Sequence, residues 1–258
     1  MWVKLQLATY HSHNITLNFI KNSTFGCYFF DYKYIMILNI NSKDPTCATF
    51  DPGKICNLAC STCDEHASTR WQAVKNLPIV SNAFNTTIND LDFTGLKQII
   101  IGGGEPILHK STHEVLEKFK NTDMRFHIHF NGTVKPSLEF LKTCSYYKRI
   151  SICFSIDGVG DHFEYLRWPA KWTKVDSNVK WIVEHAPTNI NFGVNITVSV
   201  LNKDLHKLVV DWAKVTLPED HYISYNSAGT TLEQFDKVDR IRGTDWRKTF
   251  DSINTTAQ

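Results

Sequence analysis

From about residue 47 to about residue 226 the chain repeats one pattern: a short apolar or β-branched run, a turn, then a segment with amphipathic-helix spacing. The strand-like runs are 47–51, 96–101, 125–130, 150–156, 191–200 and 222–225. Helical spacing fills 68–83, 111–121, 137–146, 173–186 and 204–215. Strands separated by helices cannot pair as hairpins. Six such units therefore predict a parallel sheet with right-handed crossovers and the helices outside. At 258 residues and 42% hydrophobic content the chain can bury one substantial core.

Directly after the first strand, Cys56, Cys60 and Cys63 fall as C-x3-C-x2-C. An iron–sulfur cube takes one thiolate per iron, so three legs leave one iron open to something other than protein. With His66, the same residues also make a four-ligand set for tetrahedral structural zinc, in a non-catalytic module for nucleic-acid or protein contact. Structural zinc usually draws on two spaced pairs in a loop-rich module, whereas this triplet lies between a strand and a helical pattern.

The later turns carry chemistry of their own. Run 96–101 empties into Gly102-Gly103-Gly104-Glu105-Pro106. Glycines there let backbone approach a ligand, the glutamate offers a fixed negative charge to an ammonium group, and the proline stiffens the exit. Strand 125–130 ends in Asn131-Gly132-Thr133, strand 150–156 in Ser155-Ile156-Asp157-Gly158, and strand 191–200 in Leu201-Asn202.

In this order and spacing the cysteine triplet and these turns resemble the radical S-adenosylmethionine (SAM) superfamily. The resemblance implies an incomplete (β/α)6 barrel, with a [4Fe–4S] cluster on Cys56, Cys60 and Cys63. The free iron would be chelated by the amino and carboxylate groups of SAM. Gly103, Gly104 and Glu105 would hold the methionine end, and Asn131, Ser155 and Asp157 would line the rest of the site. Arg167 follows the S-x-D-G strand, where relatives often place an active-site arginine; a carboxylate clamp and a structural ion pair both fit it.

The implied activity is one-electron reductive cleavage of SAM to methionine and a 5′-deoxyadenosyl radical, which abstracts hydrogen from a substrate at the barrel mouth. A flavodoxin- or ferredoxin-like protein would supply the electron. The pattern is most similar to short twitch-type members, including those of tailed bacteriophages. That implies a peptide or protein substrate ahead of a nucleotide or small metabolite. One departure is Thr62, where the family usually has an aromatic residue before the third cysteine; Phe50 and Trp71 are nearby aromatics that offer an apolar surface in its place.

Three regions follow: a strand-rich N-terminal extension over 1–45, from runs at 15–20, 28–30 and 34–40; the core over 46–226; and a C-terminal helix and tail over 227–258. In the last, Leu232, Phe235, Val238 and Ile241 recur every three residues, predicting a helix that docks on the barrel. Arg240, Arg242, Arg247 and Lys248 around Trp246 offer a grip for phosphate or nucleic acid, but interleaved with Asp236, Asp239 and Asp245 they read first as a solvated face. His127 and His129 share one strand face, either entering the barrel or serving structure. Cys144 and Cys153 read as core, and Cys27 and Cys47 either as stray thiols or as part of a second metal site. The chain has no cysteine after Cys153, so no C-terminal auxiliary cluster is expected. A formal net charge of +2 is too small by itself to imply a polyanionic partner, so nucleic acid is not expected as one, and no apolar stretch approaches the 18 residues of a membrane span. An odd count of 7 cysteines and no secretion-signal layout point to the reducing cytoplasm.

Overall fold

The structure, a computed structural model, describes residues 37–41, 44, 46–80 and 88–254. The expected strands at 15–20 and 28–30 lie outside the described residues. Seven strands form one sheet in the order β1 to β7: Ile37–Ile40, Cys47–Asp51, Gln98–Ile101, Arg125–Phe130, Ile150–Ser155, Ile190–Val198 and Tyr222–Ser227. From β2 to β7 every neighbouring pair is parallel. Six parallel strands alternating with helices make the incomplete (β/α)6 barrel. β1 joins β2 antiparallel, so the end of the N-terminal extension adds a seventh strand that the alternation did not predict.

The eight α-helices among the described residues are α1 Thr69–Val74, α2 Lys110–Lys118, α3 Leu138–Cys144, α4 Asp161–Leu166, α5 Trp172–His185, α6 His206–Thr216, α7 Leu232–Arg242 and α8 Trp246–Asn254. α1 is shorter than the predicted 68–83. Ser68 caps its start, but Asn76 adopts a left-handed φ of 54° and Pro78 follows, so the helix cannot continue. A capping box of Thr231 and Gln234 opens α7, and Gly243 closes it at φ 69°.

Alternation along the strands separates two environments. In β4, Phe126, Ile128 and Phe130 point outward into the main core with Val115 and Leu116 of α2 and Phe140 and Leu141 of α3. The opposite face turns polar residues into the half-barrel: His127 and His129 of β4, Ser151 and Cys153 of β5, Asn195 of β6 and Ser224 of β7. A second apolar cluster joins Tyr165 and Leu166 of α4 to Phe235 of α7 and to Trp246 and Phe250 of α8. The face α7 buries differs from the predicted one. Phe235, Asp239 and Arg242 are buried, whereas Leu232 and Ile241 are exposed. Steps of four and three follow the 3.6-residue turn, while a strict step of three drifts off the contact line.

Gly193 of β6 marks a close approach inside the half-barrel. The Tyr222 ring of β7 lies across it, and a Cβ at residue 193 would collide with the ring. Gly193→Ala should therefore cost about 1–3 kcal/mol in denaturant unfolding, as overpacking does. The loss should shrink in a Tyr222→Ala background; an unchanged loss would show that the ring is not the obstacle.

Candidate functional site

The three thiols sit on the loop between β2 and α1, which has no regular structure, and its backbone is held from several sides. On one side Gly104 donates to the Gly53 carbonyl at 2.8 Å and Glu105 to that of Ile55 at 2.8 Å. A Cβ on Gly104 would strike the backbone of Lys54 and Ile55, and one on Gly103 would strike the Asp51 carboxylate. The missing side chains make room for the cysteine loop itself. On the other side Ala59 donates to the Trp168 carbonyl and Ser61 to that of Leu166, both at 2.8 Å. From beneath, the Trp71 indole donates to the Cys60 carbonyl at 2.9 Å and Arg242 to the Ala59 carbonyl at 3.1 Å.

Cys60 is buried, and Cys56 and Cys63 are half-buried. Burial, reinforced by the Cys60 thiol, pushes the Cys56 thiol up to about 12; burial likewise raises Cys60 and Cys63. The thiols are therefore protonated until a metal displaces the protons. A single tetrahedral zinc needs its sulfur and nitrogen ligand atoms roughly 3.3–3.8 Å apart. Among the described residues the thiols and His66 are not gathered within even 4.8 Å, and His66 is exposed. That spacing disfavours the four-ligand zinc site.

Glu105 is 1% exposed at the C-terminal end of β3. Its Oε2 accepts from the Asn131 backbone N–H at 2.8 Å. Among the described residues its Oε1 is buried without a hydrogen-bond partner, although the Ile107 amide lies near enough to favour the ionised form. Burial dominates and pushes the carboxyl up to about 8, against the opposing pull of those amides and of Arg167. A buried acceptor with nothing to accept from fits a cationic donor on a ligand.

The remaining predicted residues fall at the same strand ends, with different degrees of freedom. Asn131 is engaged: its side chain donates to Asn57 at 2.9 Å and accepts from Thr133, tying the cysteine loop to the end of β4. Asp157 accepts from Arg167 Nε at 2.6 Å and from the Thr197 amide at 2.7 Å. Arg167 is thus held in a buried ion pair and also reaches the Cys60 thiol; Asp157, Cys60 and Cys63 outweigh its burial and hold its pKa above the ordinary value. Ser155 is half-buried on the inner face, next to Asn195 in register. Asn202 is buried, bonding Ser199 and the Asp157 carbonyl.

Some expectations change. Phe50 and Trp71 are both fully buried, so neither presents a face to a ligand in place of the missing aromatic. Arg242 is not part of a solvated face: it is 8% exposed, its guanidinium 4.8 Å from the Tyr165 ring centroid and 5.8 Å from that of Trp168. Asn57 as a loop support was not visible in the sequence, since its hydrogen bond to Thr133 across 76 residues leaves no local pattern.

Glu105 sets a measurable pH dependence in the ligand-free chain. Its folded pKa lies above the unfolded value of about 4.3, so its contribution is complete below that value and is lost as pH rises through 8. Thermal melts of wild type and Glu105→Gln between pH 5 and 8 should diverge, wild type losing stability relative to the variant. Parallel curves would show that the carboxyl is not neutral in the folded chain.

The sequence profile described as "Radical SAM superfamily" matches residues 51–204. No curated protein sequence matches the chain. Among solved structures, Streptococcus suis SuiB aligns with TM-score 0.50 at 14% identity, over 80% of this chain and 46% of SuiB. TYW1 with a lysine–pyruvate adduct bound aligns with TM-score 0.50 at 13% identity, over 76% of this chain and 73% of TYW1. At such identities the likeness is one of fold. The chain spans about half the length of the SuiB structures. With the profile covering more than half of the sequence, and the cysteine loop and Glu105 inside the matched segment, the chain belongs to the radical SAM superfamily, whose enzymes use a [4Fe–4S] cluster and S-adenosylmethionine.

Proposed function

We propose that the chain is a radical SAM enzyme in which Cys56, Cys60 and Cys63 hold the [4Fe–4S] cluster and Glu105 receives the ammonium group of SAM. The observation that carries this reading is the partnerless Oε1 of Glu105, on a buried carboxylate close enough to Cys56 to raise that thiol's pKa. A carboxyl that burial alone would keep neutral becomes a strong acceptor once an ammonium group sits against it. The backbone turn at Gly103–Gly104 flanks that position, and Ser155 faces the half-barrel beyond it. Arg167, fixed by Asp157, supplies the buried positive charge that thiolates at Cys60 and Cys63 require. Bound there, the reduced cluster would supply one electron to the SAM sulfonium, giving methionine and a 5′-deoxyadenosyl radical.

The substrate we infer is a peptide or protein, of the kind handled by twitch-type members, ahead of a nucleotide or small metabolite. The sheet supports this by staying open. Among the described residues, β1 and β7 are edges, and Tyr225, Asn226 and Ser227 on β7 are exposed, leaving a side through which a polymer can lie. A flavodoxin- or ferredoxin-like protein fits as the one-electron donor. A cytoplasmic setting agrees with six described cysteines that are all free thiols, and no described helix is long and apolar enough to cross a membrane.

Anaerobic reconstitution should load about four irons per chain. Under dithionite the loaded protein should release 5′-deoxyadenosine from SAM, and alanine at Cys56, Cys60 or Cys63 should abolish the release. Cys144→Ala, in the core, should retain it at some cost in stability. Glu105→Gln should raise the SAM concentration for half-maximal turnover at least tenfold, as loss of one charge-assisted bond does. Turnover that survives loss of Cys60 would sink the assignment. Transfer of deuterium from labelled candidate substrates into 5′-deoxyadenosine would identify the substrate class.

A further inference from the structure

Deeper in the half-barrel, three potential metal ligands meet on adjacent strands. His129 of β4 pairs in register with Cys153 of β5, which pairs with Gly193 of β6, which pairs with Tyr222 of β7. His127 lies two residues before His129 on the same face, its ring centroid 4.7 Å from that of His129. One ligand atom each from His127, His129 and Cys153 falls within 4.8 Å of the other two. Sequence alone assigned Cys153 to the core; its register beside the histidines turns it inward. We propose that His127, His129 and Cys153 bind one divalent cation of the zinc type, with a fourth coordination position open to the interior of the half-barrel.

The ligand chemistry selects the metal. Two imidazoles and a thiolate suit zinc-type transition ions and disfavour calcium and magnesium, which take oxygen. Metal–nitrogen bonds of about 2.0 Å and a metal–sulfur bond of about 2.3 Å bring ligand atoms to roughly 3.3–3.8 Å, a contraction on the order of 1 Å from the present spacing. Burial already keeps the His129 ring neutral, lowering its pKa to about 4, so its lone pair is available. No hydrogen bond holds that ring among the described residues, so no partner need be displaced.

The surroundings are those of an outer shell. Ser151 Oγ lies 2.9 Å from His127 Nδ1, and the Tyr222 hydroxyl 3.3 Å from the same atom and beside the Cys153 thiol. Such contacts orient ligating rings and stabilise a bound thiolate. Gly193, lacking a side chain, is what lets the Tyr222 ring reach in. On binding, the Cys153 S–H bond breaks, its proton leaves to solvent and a metal–sulfur bond forms. Two neutral imidazoles and one thiolate leave the site with one positive charge. Three protein ligands and an open position make a Lewis acid suited to an anionic oxygen.

The site is independent of the cluster reading, and the test keeps them apart. Iron is loaded first to occupy the cysteine triplet; the protein is then equilibrated with Zn2+, passed through a desalting column, and examined by elemental analysis and zinc X-ray absorption. Wild type should retain about one zinc per chain, with one sulfur and otherwise nitrogen or oxygen neighbours. Cys153→Ser and His129→Ala should each retain zinc at least tenfold more weakly at unchanged iron content, with circular dichroism reporting that both variants fold. Two changes guard against a misfolded variant, because His129 is only half-buried. No zinc in wild type, equal zinc in both variants, or a shell of three sulfurs, which marks the Cys56 loop, would overturn the proposal. Iron is counted separately, so a chain that fails to load it speaks against the cluster reading alone.

Discussion

The thiols of Cys56, Cys60 and Cys63 ride on a loop with no ladder of its own, and the candidate site depends on backbone hydrogen bonds lent to that loop by its neighbours. Gly104 and Glu105 bind it along one edge, and Leu166 and Trp168 along the other. A loop left to itself would cost entropy to order at each residue, and its buried amides would lack partners. Here the amides are paired, so the thiols are positioned before any metal arrives. The glycines after β3 thereby serve the protein's own packing. They let a second strand of backbone come close, and they fix Glu105 within electrostatic reach of Cys56.

Charge follows from the same burial. Three thiols, Glu105 and Arg167 are withdrawn from water within one small region, and each is perturbed accordingly. Thiols and carboxyl are pushed toward their neutral forms, while Arg167 keeps its charge against its own burial because Asp157 is paired with it. Such an arrangement stays poorly compensated until a cation or metal joins it. The cost of burying these groups is repaid on binding, which ties ligand affinity to the fold that enforces the burial.

The inner face of the sheet carries a second polar layer below this one. His127, His129, Cys153 and Tyr222 are contributed by three strands, and their meeting is a matter of register. A shift of one residue in any pairing would turn these side chains outward into the helix layer, where apolar residues such as Phe126 and Ile152 now sit. The apolar face holds the register, and the register assembles the polar face.

The sequence by itself determined the βα alternation, the parallel sheet, the cysteine triplet and the strand-end turns, because each is written in local spacing. The helix over residues 69–74 was overextended from sequence, since the helical spacing outlasts the stop imposed by Asn76 and Pro78. Tertiary structure alone decided the rest. Asn57 meets Asn131 across 74 residues, Arg242 of α7 passes under Ala59 across 183, and Cys153 turns from presumed core residue to neighbour of two histidines. Local periodicity tells which face of a strand or helix a residue occupies. Which other element that face meets is settled only when the sheet closes its register and the C-terminal helices seat their buried faces, because those partners are distant in the chain and leave no mark on each other's spacing.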